Sequence, residues 1–102
     1  MTLPVVFRRR FQLDLAGGYD WYEKQRSGLG EEFLAAVQST LHSVELYPGM
    51  FAHVHGEVRR AIVPRYPFAI FYLVEPSRVV VLRALHTARD PRLWPRVGRN
   101  AR

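Results

Sequence analysis

Phe68-Ala69-Ile70-Phe71-Tyr72-Leu73-Val74 is followed, after Glu75-Pro76-Ser77, by Arg78-Val79-Val80-Val81-Leu82-Arg83-Ala84-Leu85-His86. Both runs are rich in β-branched and aromatic residues and are bounded by proline, so they read as two strands joined by a tight turn. On the first run both alternate sets are apolar: Phe68, Ile70, Tyr72 and Val74 on one face, Ala69, Phe71 and Leu73 on the other. A strand of that kind needs cover on both faces. Working back along the chain, Pro64 to Pro67 is a connection, because a proline at each end cannot donate to a ladder. Glu57 to Val63 is a third strand, entered from a short strand Phe51 to Val54 through a turn at His55-Gly56. The strands 57–63, 68–74 and 78–86 form an antiparallel meander.

The first half reads differently. Leu3 to Phe7 is a short strand, and Arg8 to Arg10 form a charged junction after it. Phe11, Leu15, Tyr19 and Tyr22 then recur at spacings that build one apolar helical stripe, with Asp14, Asp20 and Glu23 on solvated faces. Gly17 and Gly18 are expected to weaken this helix. Ser27, Gly28 and Gly30 punctuate the chain, and Glu31 and Glu32 mark the N-terminus of a second helix that runs to about Tyr47. Its face is Phe33, Val37, Leu41 and Val44, with Leu34 beside them, and Pro48-Gly49 ends it. These elements predict an α+β domain with an N-terminal strand and an antiparallel two-helix hairpin. Two helices cover one sheet face; the other is expected to be covered by the C-terminal segment with Leu93 and Trp94, or by a partner.

Composition limits the chemistry. The chain has 102 residues, 48% of them hydrophobic and 24% charged, which suits one globular domain over 1–102 with a short basic tail from about 92. It contains no cysteine, so disulfides, thiolate nucleophiles and cysteine-bound zinc are excluded. The N-terminus has no signal-like apolar core, and the longest apolar run, Pro67 to Val74, is far short of the roughly 20 residues of a membrane helix. A cytoplasmic location without membrane contact is expected. The net charge of +6 sits in the second half: residues 57–102 carry ten Lys or Arg against three Asp or Glu, residues 1–56 five against six. Lys24 is the single lysine, and arginine's planar fork suits bidentate contact with phosphate or carboxylate. That favours a polyanionic or acidic partner.

One set of residues could carry catalysis. Glu57, Arg59, Arg60, Arg65, Arg83 and His86 are expected on neighbouring strands, where Glu57 and His86 could pass protons while the arginines hold a phosphate. The plainer alternative is that these are solvated charges at strand edges. His53 and His55 flank Val54 and share a face, yet no third metal ligand is near, so no metal is expected. No organic cofactor is expected either, since a Gly-rich phosphate loop and a nucleophile elbow are both lacking. His42 belongs on the surface of the second helix.

The order of short motifs is more specific than any one of them. Asp14-Leu15, Trp21-Tyr22 with Glu23 and Gln25, Gly28-Leu29-Gly30 followed by Phe33, then Pro48, Arg59-Arg60, Arg65-Tyr66-Pro67-Phe68 with Ile70 and Tyr72, and His86 followed by Arg89-Asp90-Pro91 and Trp94 together resemble the RelE/ParE superfamily of toxins in type II toxin–antitoxin systems, over nearly the whole chain. The resemblance implies a hairpin packed on one face of a curved, mainly antiparallel sheet, and neutralisation by a cognate antitoxin. It also implies one of two targets: gyrase, as for ParE, or ribosome-bound mRNA cut without a metal, as for the RelE endoribonucleases. Glu57, Arg65 and His86 match the Glu/Arg/His form of the nuclease site, with Arg59, Arg60, Arg83 and Arg89 as target-binding residues. The residue after His86 is Thr87, however, and no tyrosine follows Tyr72. The segments around Trp21-Tyr22 and from His86 to Pro91 resemble the plasmid-stabilisation proteins grouped with ParE. A third outcome is a toxin-like domain without its own activity that binds only its antitoxin or nucleic acid.

Overall fold

The computed structural model describes residues 3–88 and 90–95. Strand β1 (Val5–Phe7) leads into helix α1 (Arg9–Gln25), helix α2 (Leu29–Leu46), strands β2 (His53–His55), β3 (Val58–Ile62), β4 (Phe68–Val74) and β5 (Val79–His86), and a final 3-10 turn, Pro91–Leu93. The strands form one sheet in the order β1-β5-β4-β3-β2. The meander is antiparallel, and β1 adds to β5 in parallel, Val5 opposite Val79 and Phe7 opposite Val81. The bonds Val79 N–H to Pro4 O and Arg8 N–H to Val81 O lengthen that edge. Between Phe71 and Tyr72 the register on β5 steps from Arg83 to Val81, so Leu82 is an extra residue and the ladder bends there.

The prediction of two apolar faces on β4 holds. Ile70 and Tyr72 join Phe11, Tyr22, Phe33, Val37 and Val44 in the core under the helices. Ala69 and Phe71 join Val58 and Leu85 on the other face, and Trp94 covers them. Its ring lies 5.4 Å from Phe71 and 5.8 Å from His55, and the Arg60 guanidinium stacks 5.0 Å from its centroid. Leu93, also expected in this cover, is 55% exposed. The chain therefore covers its second face itself, with Trp94 beside Val54, Leu73 and Leu82.

The hairpin departs from expectation in instructive ways. Helix α1 is unbroken through Gly17 and Gly18. A Cβ at Gly18 would lie 2.8 Å from the Phe33 ring, so the glycine lets α2 pack its largest side chain against the backbone of α1. Phe33 is fully buried among Tyr22, Tyr66 and Phe68, with ring centroids 5.0, 5.5 and 5.0 Å away. Helix α2 begins at Leu29, two residues before the expected Glu31, after Gly28 turns the chain at φ 89°. Glu23 permits this start: its carboxylate accepts the N–H groups of Gly28 and Gly30, both at 3.0 Å, filling the place of an N-cap. Those two backbone bonds, Gly28 first, hold the Glu23 carboxyl below its ordinary pKa. Strand β2 starts at His53, not Phe51, and Gly56 and Glu57 make the turn. Of the three acids assigned to solvated helix faces, only Asp20 stands exposed without a hydrogen-bonding partner.

Candidate functional site

His86 closes β5 opposite Phe68, its ring set against that phenyl at 5.7 Å and its Nδ1 accepting the Ala88 N–H at 3.0 Å. With Nδ1 used as acceptor, the neutral ring carries its proton on Nε2. The ring opens onto a cleft of about 570 Å³ between α1 and the ends of β4 and β5, walled by Trp21, Tyr22, Pro67 and Phe68. This cleft is mainly apolar, and its one ion pair at the margin, Asp14 with Arg83, is already satisfied.

Arg65 sits in the β3–β4 connection at the same end of the sheet, with a left-handed backbone at φ 73°, unusual for a long side chain. It lines a different, smaller cleft of about 430 Å³ beside α2, with Glu32, Ser39 and Tyr66. Glu57 is at the far end. Arg59 pairs with Tyr72, so Glu57 lies level with Val74, six residues along β4 from the Phe68 that faces His86. At the usual rise, that is about 20 Å. Acid, base and phosphate-binding group must all reach one phosphate within hydrogen-bond distance, and the expected grouping of Glu57 with Arg65 and His86 does not form.

The other arginines are occupied. Arg83 forms a fork with Asp14, Nε to Oδ2 at 2.8 Å and Nη2 to Oδ1 at 3.0 Å, while the same carboxylate accepts the Ala84 N–H at 3.0 Å. The Asp14 hydrogen bond, opposed by burial, raises the pKa of Arg83. Arg59 donates to the carbonyls of Phe51 at 2.6 Å and Gly49 at 3.2 Å, tying β3 to the segment after α2. Arg60 lies on Trp94. All three side chains are thus engaged within the fold. Arg89 lies outside the described residues. Among the described residues no three His, Asp or Glu side chains come together to hold a metal ion.

Sequence reasoning missed Trp21, which is 58% exposed at the mouth of the main cleft. Its signal was a tryptophan next to Tyr22 yet off the Phe11–Leu15–Tyr22 stripe. It also missed Asp14, whose partner is 69 residues away.

A helical hairpin on one face of a five-stranded mixed sheet, with the first strand beside the last, is the architecture of the RelE/ParE class of type II toxins. Within that class, the family described as the ParE toxin of the type II toxin-antitoxin system parDE matches residues 5–91, and the chain belongs to it. Among solved structures, the chromosomal ParDE system from P. aeruginosa aligns with a TM-score of 0.64 at 23% identity, over 82% of this chain and 95% of that one. A copper-bound mutant toxin from Helicobacter pylori aligns with a TM-score of 0.51 at 21% identity, over 90% and 99%. These two show the shared fold. No curated protein matches the chain.

Proposed function

We propose that this type II toxin arrests growth without cleaving RNA, by binding gyrase as the ParE branch of the superfamily does, and that a cognate antitoxin neutralises it in the cytoplasm. Carried on a plasmid, such a pair would stabilise its inheritance. The observation that carries this reading is the dispersal of the nuclease set: Glu57 is about 20 Å along the sheet from His86, and Arg83 and Arg59 are held by Asp14 and by backbone carbonyls. No helix of the described residues is long and apolar enough to cross a membrane, which fits action on a soluble target.

The test is induction of the chain without antitoxin, following DNA breaks, the SOS response and mRNA ends together, with a supercoiling assay on purified gyrase beside it. DNA damage with intact mRNA is expected, and His86→Gln should leave it unchanged within about twofold. A general acid is typically worth 10²- to 10⁴-fold, so mRNA cutting that His86→Gln abolishes would refute the proposal. Harmless expression with neither lesion would leave a domain that only binds its antitoxin.

A further inference from the structure

The connection between β3 and β4 holds a turn, Val63-Pro64-Arg65-Tyr66, closed by the bond from the Tyr66 N–H to Val63 O at 3.3 Å. With proline second and φ 73° at the third residue, it is the kind of turn that favours glycine or asparagine in third place, yet Arg65 stands there. Among the described residues the other positive φ values belong to glycines, Gly28 and Gly56. The turn itself gives no reason for an arginine. Its guanidinium is exposed and forms no ion pair with a described residue.

The cleft that Arg65 lines, about 430 Å³, is within the range of ligand sites, roughly 300–1,000 Å³. Ala35 and Ala36 line it from α2 and Pro64 from the turn, so its walls are small and apolar. Ser39 and Tyr66 reach it as well. The Ser39 carbonyl accepts from the Ser43 hydroxyl, but neither the Ser39 nor the Tyr66 hydroxyl has a partner among the described residues. The Tyr66 ring is fixed by edge contacts with Tyr22 and Phe33 at 5.2 and 5.5 Å. Glu32, the one acid on the rim, is drawn to Arg26 by two contacts at 3.4 Å. Three donors thus stand unengaged around one apolar cleft.

A guanidinium fork suits carboxylate or phosphate. A nucleic-acid backbone is a row of charges and is tracked by a row of cations, whereas Arg65 is alone on this rim with Glu32 beside it. A second copy of the chain would bring together two charges of +6. One carboxylate on a short apolar stem fits both the charge and the walls. We propose that this cleft seats an Asp or Glu side chain of the target protein, with its carboxylate in the fork of Arg65, the Ser39 and Tyr66 hydroxyls donating beside it, and its stem against Ala35, Ala36 and Pro64. The inference rests on the reading of gyrase as that target and makes Arg65 a recognition residue for it.

The experiment uses the whole chain as wild type, Arg65→Gly, Arg65→Lys and Ala35→Leu. Calorimetry gives binding to purified gyrase, to the antitoxin encoded beside the gene and to a short DNA duplex, a supercoiling assay gives inhibition, and circular dichroism gives Tm. Arg65→Gly should raise Tm, because glycine takes φ > 0 without strain, and weaken gyrase binding roughly 10- to 100-fold, the usual worth of a charge-assisted hydrogen bond. Arg65→Lys keeps the charge without the fork and should recover only part of that loss. Ala35→Leu narrows the cleft and should weaken gyrase binding at unchanged Tm. Antitoxin affinity should be that of the wild type in all three. Full binding and inhibition by Arg65→Gly would overturn this seat and leave the gyrase reading standing. A wild-type chain that does not bind gyrase would overturn both. Antitoxin affinity lost with Arg65, or wild-type binding to the duplex that Arg65→Gly abolishes, would give the cleft to another partner and overturn the proposal. A lower Tm in Arg65→Gly would assign the arginine to the fold and overturn it as well.

Discussion

Arg83 offers the sharpest separation between a structural and a functional arginine. Its fork to Asp14 is 18% exposed on the arginine side and 15% on the aspartate side, so water screens it only in part. The Asp14 carboxylate accepts three hydrogen bonds, two from Arg83 and one from the Ala84 N–H, and joins α1 to β5 just beyond the end of β1. Removing one partner of a buried pair typically costs 3–5 kcal/mol, because the other is left uncompensated. With the residual exposure, Asp14→Ala should cost about 3 kcal/mol. Arg83→Gln should cost about 2 kcal/mol, since Asp14 keeps its Ala84 N–H. At roughly 4–8 °C per kcal/mol for a domain of this size, Asp14→Ala should lower Tm by about 12–24 °C. Urea unfolding of both single variants and of the double variant gives the coupling, expected at about 2 kcal/mol. Growth arrest by Arg83→Gln should fall only as far as its folded fraction falls. Single costs below ~1 kcal/mol with additive behaviour would show that the pair does not fasten the helix to the sheet. Lost toxicity at full stability would return Arg83 to the target-binding role.

Three further variants probe the hairpin and its sheet. Glu23→Gln should lower the urea midpoint at pH 7; because the folded pKa of Glu23 lies below its ordinary 4.5, its contribution is present above about that pH and lost as pH falls through the folded value, so the gap to wild type should close in acid. A gap that widened in acid would contradict the capping role. Tyr72 donates its hydroxyl to Pro48 O at 2.7 Å and is fully buried, so Tyr72→Phe should cost about 1 kcal/mol in urea unfolding. Burial, opposed by Arg59, pushes its pKa up from 10.0 to about 12, so wild-type stability should be complete below pH 10 and decline toward pH 12, a decline that Tyr72→Phe should reduce. Gly18→Ala places a methyl 2.8 Å from the Phe33 ring and should destabilise by about 1–3 kcal/mol; a neutral Gly18→Ala would mean α2 can move away freely.

Local patterns were legible and distant partners were not. The stripe Phe33, Val37, Val44 and the doubled apolar pattern of β4 stated which faces are buried before any coordinates did. The Glu23 cap leaves a weaker trace, a carboxylate five residues ahead of Gly28-Leu29-Gly30, because an acid on a helix is usually solvated. The parallel edge of β1 on β5 joins residues more than 70 apart, and the Asp14–Arg83 pair joins residues 69 apart; neither leaves a periodic trace in one sequence. The sequence allows either Trp94 or a partner as the cover, and the packing of Trp94 on Phe71 decides between them.

The distance between Glu57 and His86 follows from topology rather than from any detail of side-chain packing. Strands β3 and β5 both pair antiparallel with β4, so they run in the same direction. A residue just before β3 and one that closes β5 must then stand at opposite ends of the sheet, whatever their chemistry, and Glu57 and His86 are such a pair. The same geometry redistributes the positive charge. In the second half of the chain Arg78 is paired with Glu75, Arg83 with Asp14 and Arg92 with Asp90, while Arg59 and Arg60 hold a backbone segment and a tryptophan. Among the described residues of that half, Arg65 alone has no side-chain hydrogen bond, ion pair or aromatic contact. The free cations gather instead at Arg8, Arg9 and Arg10, at the helix end where the backbone dipole opposes them and no acidic residue stands in the first turn. These arginines keep exposed charge where it costs stability rather than where it adds to it.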